Sequence, residues 1–274
     1  MKPTYKTLYR LLSSATLIVM AGVGTAKAAD AVEPYVYCSK DSCRTTRGPA
    51  LFFFGQLPNG VKNHCVTPHT YAMTFDDGPA ASYPKVLEIL ERQGVKATFF
   101  INGNKLSGET EQAYLKQAAA AGHQISNHTF SHRDLIKSTD AEIVEEVKAN
   151  EDAIVRVLGD TPKVRADAQV VRPPFGYVDQ RVFDLLLKNG NTVVRWNSDR
   201  SDWELNEGDT DLEMKRLDQH LAYAAAQNPL GVTDSIIDLN HDFSPATLSQ
   251  LDIMIDRIKA KGYRFVKLDE CLGI

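Results

Sequence analysis

The sequence has no surplus of positive charge. Its 31 basic and 35 acidic side chains leave a net charge of −4, so there is no electrostatic footprint for a nucleic-acid partner. It also has no internal repeat, low-complexity tract or Pro/Ser-rich linker to divide its 274 residues, a length that one large α/β barrel can fill. Cysteine is scarce. The four cysteines contain no Cys-x-x-Cys pair, which argues against a zinc ribbon or finger. A long apolar run is missing too, because the stretch from Leu11 to Val23 falls short of the roughly 20 residues a membrane-spanning helix needs. Lys2, Lys6 and Arg10 precede that stretch and Ala26-Lys27-Ala28 closes it, the layout of a secretory signal cut after Ala28. The expected organisation is a signal peptide over 1–28, an extension over 29–65 and the main domain over 66–274. With no apolar tail before Ile274, the expected product is a monomer free of the membrane, secreted outside the cell or into the periplasm of a bacterium.

An even number of cysteines in an exported chain implies two disulfides. Of the three possible pairings, the favoured one joins Cys38 to Cys43 in a short local loop and Cys65 to Cys271 across the domain. After Cys65 the chain alternates short apolar runs with amphipathic stretches, the rhythm of parallel strands joined by helices. Seven runs are read as strands: Tyr71 to Phe75, Ala97 to Ile101, Gln124 to Asn127, Val170 to Arg172, Thr192 to Trp196, Ile236 to Leu239 and Tyr263 to Leu268. Helices are expected over Pro84 to Gln93, Gln112 to Ala121, Ala141 to Leu158, Gln180 to Asn189, Leu212 to Gln227 and Pro245 to Lys261, several of them stopped by glycine. The residues with chemistry to offer gather just past strand C-termini. Contributions from many strands favour a ring over a single crevice. The predicted fold is α/β, a distorted (β/α) barrel of about seven parallel strands with its site at the C-terminal rim.

Thr74-Phe75-Asp76-Asp77-Gly78-Pro79 sets two carboxylates side by side after an apolar run, an arrangement that calls for a nearby cation or proton. Fifty residues on, His128 and His132 stand four apart, a spacing that on a helix or tight turn aims both imidazoles at one point. Asp77, His128 and His132 would make a two-nitrogen, one-oxygen metal centre with open positions. The expected cofactor is one divalent ion, Zn2+ first and Co2+ or another second. Alone, either histidine would more often bond a loop backbone. Asp76, left beside the ion, is the candidate general base; its alternatives are a second metal ligand or a loop cap. His241 is the candidate acid for the leaving atom, its pKa raised if Asp202 lies beside it. Arg172 can hold Asp76 ionised, although Arg172 and Asp202 singly would read as ordinary salt-bridge residues.

These residues resemble the polysaccharide deacetylase family, the fourth carbohydrate esterase family, across about Thr70 to Leu272. Its five motifs have ordered counterparts in Thr74 to Pro79, His128 to His132, Arg172-Pro173-Pro174-Phe175-Gly176, Asp199-Arg200-Ser201-Asp202-Trp203 and Leu239-Asn240-His241. The resemblance implies the same base, metal triad, acid and tuning partners. It adds the backbone N–H of Phe175 as a donor to the oxyanion, and Trp203 and Leu239 as walls of an acetyl pocket. Phe175 replaces the tyrosine of many members, which keeps the backbone donor and loses a phenolic hydroxyl. The closing Glu270-Cys271-Leu272-Gly273 and the short Cys38 to Cys43 loop resemble chitin deacetylases, so the expected substrate is chitin or a chitooligosaccharide. Acetylxylan ester or peptidoglycan N-acetylglucosamine is the alternative substrate, and an inactive carbohydrate-binding protein is the reading from another class. Asp238 interrupts an apolar strand and needs a partner if it faces inward. The sequon Asn127-His128-Thr129 is expected to carry no glycan, because sugar there would block the cleft.

Overall fold

The computed structural model describes residues 35–39, 42–46, 57–227 and 234–274. The expected signal segment 1–28 and about half of the extension 29–65 lie outside the described residues. Two short strands, β1 (Tyr35–Ser39) and β2 (Ser42–Thr46), pair antiparallel. There follow β3 (Thr70–Gly78), α1 (Tyr83–Arg92), β4 (Thr98–Ile101), α2 (Glu109–Ala120), β5 (Gln124–Asn127), α3 (Asp140–Leu158), α4 (Pro162–Ala168), β6 (Val170–Val171) and α5 (Gln180–Lys188). The chain ends with β7 (Thr192–Val193), β8 (Ser198–Asp199), α6 (Thr210–Gln227), β9 (Ile236–His241), α7 (Pro245–Ala260), β10 (Arg264–Val266) and α8 (Leu268–Leu272). The helices begin where local chemistry starts them. Thr139 and Glu142 form a reciprocal capping box at α3, Asp179 caps α5, and Ser244 caps α7 ahead of Pro245, each satisfying backbone N–H groups that the first turn leaves unpaired. Gly122 and Gly262, which close α2 and α7, both sit at φ 85°, a conformation that glycine adopts without steric cost.

Seven parallel strands run in the order β8-β9-β3-β4-β5-β6-β7 and curl into a distorted (β/α) barrel. The membership differs from the sequence expectation. Tyr263 to Leu268 holds only the short β10, which pairs with the first three residues of β3 off the main path, and Leu268 already starts α8. The seventh strand of the curl is β8 instead. Only residues 194–197 separate β7 from β8, so one stretch of chain pairs with β6 at its start and with β9 at its end. That stretch draws the two edges of the sheet toward each other.

Alternation along the strands sorts the interior from the helix layer. Tyr71, Met73 and Phe75 of β3 join Phe99, Ile101 and Ile125 in the core beneath the helices, while Ala72, Phe100, Trp196, Ile237 and Leu239 pack together inside the curl. The same two-residue period carries Thr74 and Asp76 inward with Ala72. Asp238 falls on the opposite face, in register with Met73. It is wholly buried, and there it accepts from Tyr71 (2.5 Å), Ser198 (2.9 Å) and both ways from Arg200 Nη1 (2.6 and 2.7 Å), so the interrupting carboxylate has its partners outside the barrel interior. Cys65 and Cys271 are bonded, tying the entry of β3 to α8. The side chains of Cys38 and Cys43 lie outside the described ones; their backbones are register partners in the β1-β2 pair.

Candidate active site

β3 and β9 are adjacent parallel strands, and their register sets Asp76 beside His241 at the C-terminal rim. Asp76 is buried, and its Oδ1 accepts from Arg172 Nη1 at 2.7 Å. Arg172 has no exposed surface. Its Nη1 also donates to Thr74 Oγ1 at 2.7 Å, and its guanidinium lies 4.1 Å from the centre of the Phe100 ring, which gives a buried cation an aromatic face as well as a carboxylate. The expected Arg172–Asp76 pair is therefore formed.

Asp77, one residue on, points to the histidines. Its Oδ1 lies 3.1 Å from His132 Nε2 and 3.3 Å from His128 Nε2. His128 Nδ1 is 2.8 Å from the Arg172 carbonyl oxygen, which can only accept, so that nitrogen carries the hydrogen and Nε2 turns its lone pair toward Asp77. Burial and the neighbouring His128 lower the pKa of His132, which favours its neutral, ligand-competent form. Burial would raise the Asp77 carboxyl, but the surrounding histidines hold it below the usual carboxylate range. One ligand atom from each of Asp77, His128 and His132 falls within 4.8 Å of the others, and Asp77 Oδ1 is buried without a hydrogen-bond partner. An orphaned carboxylate oxygen facing imidazole lone pairs suits a cation, and the donor set suits a divalent ion of the zinc type.

The histidine spacing works for a reason other than the expected one. Residues 128–132 leave β5 as a loop, and Thr129 and His132 take φ values of 66° and 60°. Asp77 and Phe175 do likewise at 67° and 60°, as does Ser201 at 51°. Non-glycine residues in this region each carry a cost of order ~1 kcal/mol. Five of the six such residues among those described lie in four of the five motif segments, and Asp77, His132 and Phe175 of them line one cleft.

On the other side of Asp76, His241 Nδ1 donates to Asp202 Oδ1 at 2.7 Å and its backbone N–H donates to Asp202 Oδ2 at 2.8 Å. Burial works against protonating His241, yet the Asp202 carboxylate outweighs it and pushes the imidazole up to about 9. Burial, the largest single influence, would raise Asp202, but the charge of His241 together with the hydrogen bonds from His241 and Thr247 holds it below the usual carboxylate range. Leu239 is buried against Trp196, whereas Trp203 is 52% exposed, so Trp203 forms an open rim more than an enclosed wall. Asp76, Asp77, His128, His132, Phe175, Trp203, Leu239 and His241 line a cleft of about 430 Å³. Tyr177, Trp196 and Phe243 also line it, and sequence reasoning gave them no role; Phe243 follows His241 by two positions, the only signal that could have found it. Asn127 has no exposed surface and donates through its amide nitrogen to Val147 O at 3.0 Å, which leaves no room for a glycan.

A family model described as polysaccharide deacetylase matches residues 63–194. A chitin deacetylase of Colletotrichum lindemuthianum is 32% identical over 226 residues, covering 80% of this chain and 86% of its own. The chain belongs to the polysaccharide deacetylase family. The solved structure of the chitin deacetylase from the fungal pathogen Colletotrichum lindemuthianum superposes with a TM-score of 0.69 at 30% identity, over 79% of this deacetylase-family chain and 93% of that one. A peptidoglycan-N-acetylglucosamine deacetylase of Listeria monocytogenes is also 32% identical, over 79% of this chain but only 42% of its own length. The family model stops short of Asp202 and His241, so within this polysaccharide deacetylase fold their pairing stands on the geometry given above.

Proposed function

We propose that this protein hydrolyses the N-acetyl group of N-acetylglucosamine units in chitin or chitooligosaccharides. The observation that carries the reading is the convergence of Asp77, His128 and His132 on one point, with Asp76 on one side and the Asp202-backed His241 on the other. Asp77, His128 and His132 would hold a divalent ion, which would supply Lewis-acid polarisation for the acetyl carbonyl and the attacking water. Asp76, hydrogen-bonded by Arg172, takes the proton from the attacking water. Phe175 lines the cleft, and its backbone N–H is assigned as the donor to the oxygen that gains charge as the carbonyl carbon becomes tetrahedral. His241, protonated through neutral pH, gives its Nε2 proton to the sugar nitrogen as the C–N bond breaks, and acetate leaves. A sugar chain also has a surface to lie on. Phe175, Trp203 and Phe243 are the exposed aromatic side chains among the described residues, and all three line this cleft, as the apolar faces of pyranose rings require.

The Listeria relative, as similar in sequence as the chitin deacetylase, favours peptidoglycan as the second reading. Acetate release from defined N-acetylglucosamine oligomers, peptidoglycan and acetylated xylan, compared at equal acetyl content, separates the three. Release from the oligomers above the other two is expected; release from peptidoglycan or xylan alone would replace the substrate, and release from none would favour a binding protein.

A further inference from the structure

Behind the Asp202–His241 pair, a second buried carboxyl has no part in the chemistry above. Glu213, in the first turn of α6, has no exposed surface. The Thr247 hydroxyl, from the first turn of α7, sits between it and Asp202, 2.7 Å from Asp202 Oδ2 and 3.2 Å from Glu213 Oε1. A hydroxyl has one hydrogen to give. Asp202 has the prior claim to it, being closer and held as an anion by the two N–H groups of His241. The 3.2 Å approach of Thr247 to Glu213 then lacks a hydrogen unless Glu213 brings its own.

The charged groups that act most on Glu213 are Arg200, Asp202 and Asp238. Arg200 is already committed, its Nη1 to both oxygens of Asp238 and its Nη2 to Asn240. Only its Nε faces Glu213, at 3.7 Å, beyond hydrogen-bonding distance. Glu213 Oε2 is buried with no hydrogen-bond partner, costly for an anion and cheaper for the carbonyl oxygen of an acid. We propose that Glu213 is a neutral carboxylic acid that donates from Oε1 to Thr247, whose hydroxyl donates to Asp202, so that Glu213 is a positioning residue for His241. The chain of hydrogens runs one way, from Glu213 through Thr247 to Asp202. It fixes Asp202 as an acceptor toward the imidazole and keeps a second negative charge away from it. Burial, the largest influence, raises the Glu213 carboxyl to about 7 against the pull of Arg200, in keeping with that state.

This assignment rests on the reading of His241 as the acid, and its test has an arm independent of that reading. Infrared difference spectroscopy at pH 6 between the unaltered protein and Glu213→Gln is expected to show a protonated-carboxyl carbonyl band that the variant lacks. In kinetics, Glu213→Leu and Thr247→Val, which keep the volume and remove the hydrogen, are expected to lower kcat by about 10–100-fold, the size of losses when a partner behind a functional group is removed, at little change in KM. Glu213→Gln, whose amide can donate in the same direction, is expected to restore kcat. Absence of the carbonyl band, or a glutamine variant as slow as the leucine variant, would overturn the proposal; a band without acetate release from the unaltered protein would strike the catalytic reading alone.

Discussion

At the scale of single residues, the site separates two adjacent carboxylates by giving them different neighbours. Asp76 turns inward to Arg172 and Asp77 turns to the two imidazoles. Asp76→Asn should therefore lower kcat by about 10²–10⁴-fold, the worth of a positioned base, while metal content measured by atomic spectroscopy stays at the level of the unaltered protein. Loss of metal in that variant would make Asp76 a ligand. His241 is the second case. Its pKa is raised to about 9 chiefly by Asp202 in opposition to burial, so the protonated acid is present below that pH and lost above it. Asp202→Asn removes the raising charge and leaves burial, which lowers the value. The alkaline limb of kcat/KM should then move to lower pH, and a limb that stays in place would remove His241 from the role.

At the scale of elements, what the sequence made legible depended on how local the cause was. Helices with amphipathic stretches were readable from local pattern and glycine stops, whereas α2 starts at Glu109, three residues before the expected Gln112, with no side-chain cap at Gly108 to mark it, and the short α4 was not expected. The inward turn of Asp76 obeys period-two alternation along β3. β8 was not readable, since Ser198–Asp199 is two polar residues long and owes its strand character to pairing with β9 and β1. The partners of Asp238 were equally hidden, because Arg200 and Tyr71 reach it from 38 and 167 residues away in sequence. The left-handed turns at Asp77 and His132 gave no sequence signal either, as neither is glycine. Phe243 belongs to this scale, sitting in the turn between β9 and α7 with its ring 5.1 Å from that of His241 and 42% of its surface exposed. As a stacking platform, Phe243→Ala should raise KM for N-acetylglucosamine tetramers several-fold, about 1 kcal/mol of lost aromatic contact, with a smaller effect on dimers. An equal change at both lengths would deny it a subsite.

At the scale of the whole molecule, the barrel is held at its ends as well as by its core. The Cys65–Cys271 bond spans 206 positions, and in the chain-entropy account closing so long a loop is worth about 5 kcal/mol. The double variant Cys65→Ala, Cys271→Ala should lower Tm by about 10 °C or more, read by calorimetry, and an unchanged Tm would mean that the link adds nothing to a fold its packing already secures. The strands it ties down, β3 above all, carry Asp76 and Asp77 at their far end, so the same scaffold that resists unfolding also presents the cleft. The account as a whole stands or falls on that cleft working as a divalent-ion hydrolase. The most direct measurement is mass spectrometry of a defined N-acetylglucosamine tetramer incubated with chelated protein, with protein resupplied with zinc or cobalt, and with His128→Ala. Loss of acetyl mass only in the resupplied unaltered protein is the predicted result. Deacetylation that persists under chelation and in His128→Ala would contradict it.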